Sequence, residues 1–176
     1  MIRYILAGLL LLTPVAVQAS DQSVVSGLLH KVATEQAKAD AAYQFGVDAL
    51  SMREASGLPA VLRDMDIAVK GVDRGVVKMA HMEVEEIKPI SSEEAQAKMR
   101  EGLHTLWQVN TVRRDWLRDT AASMRSGSID KMRAVTEKYK EIMPQLSGYA
   151  FMALGLFMQA KTAIGMPENL AEFGGQ

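Results

Sequence analysis

Leu62-Arg-Asp-Met65-Asp-Ile-Ala-Val69-Lys-Gly-Val72-Asp-Arg-Gly-Val76-Val-Lys-Met79 carries its numbered apolar residues at alternating steps of three and four. That spacing keeps them on one side of an α-helix, whereas a half-buried strand alternates every second residue. Beyond Met79 the seam drifts to Ala80, Val84 and Ile87. Upstream, Val25, Leu29, Val32, Gln36, Ala39, Tyr43, Gly46 and Leu50 repeat the pattern; downstream, Met99, Leu103, Leu106, Leu117 and Met124 share a face with Asn110 and Arg113. No run of alternating β-branched residues argues for a strand.

Breaks between the seams are few: Gly57-Leu58-Pro59, Lys88-Pro89-Ile90-Ser91 and Ser126-Gly127-Ser128. Each precedes a helix-start signal: Pro59 in a first turn, Ser91 with Glu94 as a capping box, and Ser128 as an N-cap. Four helical segments follow, over 22–56, 59–88, 92–126 and 128–166, rich in strong helix formers. Short loops make sequential helices antiparallel neighbours, so the expected fold is an all-α, up-down-up-down four-helix bundle, its fourth helix kinked near Pro144.

The N-terminus reads as an export signal. Arg3 is followed by the short apolar run Tyr4 to Leu12, Pro14 breaks it, and Val17-Gln18-Ala19 resembles a cleavage motif. The expected organisation is a signal peptide over 1–19, a bundle domain over 20–166 and a flexible tail over 167–176. Cleavage after Ala19 leaves 19 basic and 21 acidic residues and no basic stripe, which argues against nucleic acid as a partner. The chain has no cysteine, which excludes disulfides, thiolate metal sites and covalently attached c-type haem. The expected location is the periplasm, full secretion being the other outcome of such a signal, with no transmembrane segment in the mature chain.

Catalysis finds little support. Three histidines fall on separate helices without a serine and carboxylate arranged around any of them, and Gly71 and Gly75 sit inside a helical seam rather than in a phosphate loop. Glu101-x-x-His104 has the spacing of a di-iron motif, but occurs once and points away from Leu106 by about 140° and 160°. Met79-Ala-His81-Met82 carries ligands suited to Cu(I), yet His81 lies about 160° from Met79. His30 flanks the first seam at the level of Met158, a pairing that resembles in architecture, with the ligand order inverted, the His/Met pair by which four-helix b-type cytochromes hold haem b. Haem b and copper are therefore the weak cofactor alternatives, with His30, Met158, Met79, His81 and Met82 as ligands.

Two features remain. Asp40, Asp66, Asp73, Asn110 and Arg113 form an expected buried polar layer, in which Arg113 pairs with Asp66 and fixes helix register. Leu146 to Met158 contains no charge, so Tyr149, Phe151, Leu154, Phe157 and Met158 are expected to meet a protein partner or a second copy. The function expected is that of an exported, non-enzymatic adaptor or accessory subunit of an envelope, secretion or pilus assembly. A small-ligand or cofactor-binding bundle is the first alternative and a periplasmic chaperone the second.

Overall fold

The computed structural model describes residues 2–52, 57–169 and 173, with side chains from Val17 onward. The helices are α1 (Ile2–Ser51), α2 (Leu58–His81), α3 (Glu93–Ser126), α4 (Ile129–Tyr139) and α5 (Leu146–Ala163). A π-helical turn, Met82–Glu86, extends α2, and a 3-10 turn, Met143–Gln145, precedes α5. No strand occurs among the described residues.

Local chemistry sets most of the boundaries. Gly57, at φ 75°, brings the chain into α2, with Pro59 in the first turn where no helical N–H is required. Ser92, rather than Ser91, caps α3, accepting the Ala95 N–H at 3.3 Å. The one-residue difference comes from Asp21 of α1, which is 2% exposed and accepts the N–H groups of Ser91 and Ser92, both at 2.8 Å. Gly127, at φ 63°, ends α3, and Ser128 caps α4. Replacing Asp21 with alanine orphans two donors at the start of a long helix. A loss of about 2 kcal/mol is expected in urea unfolding followed by circular dichroism; an unchanged midpoint would show that water replaces the carboxylate.

Two expectations about helix ends are corrected. The helix runs through Pro14 to a start at Ile2, because proline's φ is compatible with a helix and its ring costs one hydrogen bond. Near Pro144 the chain breaks rather than kinks: α4 ends at Tyr139, and the 3-10 turn containing Pro144 separates it from α5.

Packing is sequential. The helix α1 lies along α2, α2 along α3, and α4 and α5 both along α3, with α5 touching α1 only lightly. Between α1 and α2, rising numbers meet falling ones: Lys31 with Glu86 at 2.6 Å, Ala39 with Gly75, and Ala42 with Gly71. The last two contacts are backbone-close, since a Cβ on Gly71 would lie 2.5 Å from that of Ala42, and one on Gly75 2.7 Å from that of Ala39. Two apolar clusters result. One gathers Leu29, Met79, Met99, Leu103 and Phe157; the other gathers Val61, Met65, Val72, Leu117 and Met124.

The described part of the C-terminal tail is held to the bundle. Lys161 donates to the carbonyl and side-chain oxygens of Asn169 at 2.9 and 2.7 Å. Phe173 stacks on Phe157 with centroids 5.8 Å apart. Of the segment 167–176 expected to form a flexible tail, residues 170–172 and 174–176 lie outside the described residues.

Candidate functional site

The polar layer lies between the two apolar clusters and differs from expectation in membership. Asn110, fully buried, and Gln36, 9% exposed, form a reciprocal amide pair: Asn110 Nδ2 donates to Gln36 Oε1 at 2.9 Å, and Gln36 Nε2 to Asn110 Oδ1 at 3.4 Å. Gln36 Nε2 also donates to Asp40 Oδ1 at 2.9 Å. Arg113 Nη1 donates to Asp40, and its guanidinium lies 4.9 Å from the Tyr43 ring centroid. Burial pushes the Tyr43 phenol up, and the positive charge of Arg113 offsets only part of that shift.

The expected Asp66–Arg113 pair does not form, and Asp66 is not buried. It is an exposed residue paired with Arg125, while Asp73 pairs with Arg114 at 3.0 Å. The displacement has a geometric cause. Side chains lean toward the N-terminus of their own helix, so a long arginine on α3 reaches toward the α2–α3 turn while an aspartate on α2 leans away from it. That lean shifts a partner by about a turn; the rest of the step from Arg113 to Arg125 is helix register, since Gly46 packs against both Ala68 and Leu117 and so sets those two at one level. Asp40 is exposed as well; Asn110 and Gln36 are the deeply buried members. Asn110→Leu leaves Gln36 Oε1 without its donor and is expected to cost about 1–3 kcal/mol, with Gln36→Leu added to it restoring part of the loss. A double variant weaker than the single, measured by thermal unfolding, would contradict this pairing.

The uncharged stretch divides into a buried and an exposed side. Phe157 belongs to the core, fully buried against α3 at Gly102, which removes it from the expected contact surface. Its burial follows from the stripe Leu146, Ala153, Phe157, Ala160 and Ile164, which α5 turns inward. Phe151 is 73% exposed, Met152 60% and Tyr149 39%; Leu154 and Met158 are half-buried. The glycines of this helix, Gly148 and Gly155, have open space where a Cβ would stand.

The histidines sit apart from the interior. His30 is exposed. His81 is exposed and lies 3.9 Å from Glu86, while Met79 and Met82 are both buried in the first apolar cluster. His104 Nδ1 lies 3.2 Å from Glu83 Oε1, its Nε2 lies 3.1 Å from Gln108 Nε2, and its ring stacks on Trp107. Among the described residues, no group of three or more histidines and carboxylates is placed to hold a metal. Also among them, no helix is long and apolar enough to cross a membrane.

The sequence reading did not single out Asp119, which ties α4 to α3. It accepts from Lys138 Nζ at 2.7 Å and from the Tyr139 hydroxyl at 2.8 Å. Partial burial pushes its carboxyl up, but these two bonds outweigh that and hold it below the ordinary carboxylate range. A depressed carboxyl contributes its stability above its unfolded pKa, near 4, and loses it as pH falls through the lower folded value. The protection factors of the α4 amides are therefore expected to fall below about pH 4, and Asp119→Asn to remove that dependence; pH-independent protection factors in the parent protein would contradict the tie.

Comparison with family models, curated proteins and solved structures finds no match for this chain.

Proposed function

We propose that this protein is an exported, non-enzymatic helical bundle that acts as an adaptor or accessory subunit of an envelope assembly, docking a protein partner on the outer face of α5. The observation that carries the reading is the exposure of Phe151 and Met152 on a helix with no charge from Leu146 to Met158. Contiguous apolar surface of that kind marks a contact site more often than scattered exposed side chains do. Aromatic and methionine side chains are also enriched in the centres of interfaces.

The reading takes 1–19 as a signal peptide cut after Ala19 and the periplasm as the working compartment. It arranges α1, α2, α3 and the α4–α5 pair as an up-down-up-down four-helix bundle, and it invokes no cofactor. A photo-crosslinking residue at position 152, introduced into the full chain in cells, is expected to trap one defined partner, and Phe151→Asp to abolish the adduct. A dimer adduct would make the partner a second copy, and a ladder of many products would favour a chaperone. An adduct that persists in Phe151→Asp would overturn the α5 face as the contact.

A further inference from the structure

We propose that the cavity between α3 and the start of α5 binds a neutral aromatic small molecule. The cavity has a volume of about 380 Å³ and is walled by Trp107, Thr111 and Val112 of α3, by Ile142, and by Leu146 and Tyr149 of α5. That volume lies within the range of small-ligand sites, about 300–1,000 Å³. None of the residues around it is charged. The depressions near His30 differ: one includes Asp40, and another is edged by Lys31, Glu35, Lys78 and Glu86.

Two observations select the ligand class. A charge-free wall leaves an ionic ligand without a counter-charge, and desolvating such a ligand is costly. Two aromatic rings, Trp107 and Tyr149, offer faces and edges for stacking with a planar guest.

The cavity lies where α5 begins, beyond the break that ends α4 at Tyr139. The 3-10 turn Met143–Gln145 keeps Ile142 and Leu146 at its two ends, and both line the cavity.

Protein purified from cells expressing the full chain, with Trp116→Phe so that Trp107 is the sole tryptophan, is titrated with N-phenyl-1-naphthylamine. This neutral aryl amine absorbs where tryptophan emits. Saturable quenching of Trp107 at one probe per chain is expected. Val112→Phe, which fills the cavity, and Tyr149→Ala, which removes a wall at the exposed rim, are each expected to weaken binding about tenfold. Circular dichroism reports whether each variant keeps its helices. Phe151→Asp is expected to leave affinity within about twofold, which separates this site from the α5 contact face. The sulfonated probe 1-anilinonaphthalene-8-sulfonate is expected to bind about tenfold more weakly than the neutral one. Absent saturation, unchanged affinity in folded Val112→Phe and Tyr149→Ala, or loss of binding in Phe151→Asp would overturn the proposal; equal affinity for the sulfonate would overturn the neutral class.

Discussion

Phe157→Ala is expected to lower stability by about 3–5 kcal/mol, the range for removing a buried aromatic side chain. The ring is fully buried, stacks on Phe173, and fills the space left by the missing side chain of Gly102. A Cβ added at Gly102 would lie 2.4 Å from Cε1 of Phe157, so the ring and the glycine occupy a single shared volume. The surroundings collapse poorly, because the α3 backbone forms one wall and cannot follow. Urea denaturation followed by helix content is the measurement, and a loss under about 1 kcal/mol would show that Phe157 is not a core residue. Gly102→Val added to Phe157→Ala is expected to recover part of the loss, since its methyls enter the vacated space.

The second large effect lies between α1 and α2. Gly71→Leu is expected to cost about 3 kcal/mol or more, because added side-chain atoms meet Ala42 and no rotamer change moves a Cβ out of the way. Helix propensity pulls the other way, favouring alanine over glycine by about 1 kcal/mol and leucine by nearly as much. The stability order expected from packing is glycine, then alanine, then leucine, and propensity alone reverses the place of glycine. Thermal melts of Gly71→Ala and Gly71→Leu decide between them. If both variants are more stable than the parent, the close approach of the two helices is wrong.

The helical class was readable because a repeat of three and four survives over many turns, and Met65, Val72, Leu103 and Leu117 point inward as the seams require. Gly71 and Gly75 were rightly placed in packing, although their neighbours Ala39 and Ala42 follow only from the pairing of α1 with α2. Ion-pair partners were not readable. Asp66 reaches Arg125 rather than Arg113 because the register of α2 on α3 and the lean of side chains, both invisible in a linear pattern, together move each partner along the helix. The two N–H groups that donate to Asp21 lie 70 and 71 residues away, so no local motif announces it. Within the uncharged stretch, composition could not separate Phe157 from Phe151. Only the inward stripe of α5 against α3 does so, and the cavity beside Trp107 depends on the exact place of the chain break.

The amide pair of Gln36 and Asn110, with Asp40 and Arg113 at its edge, works as a bulkhead. Grease at one end of the molecule is walled off from grease at the other, so sliding one helix past its neighbour by a turn would push the two amides into oil.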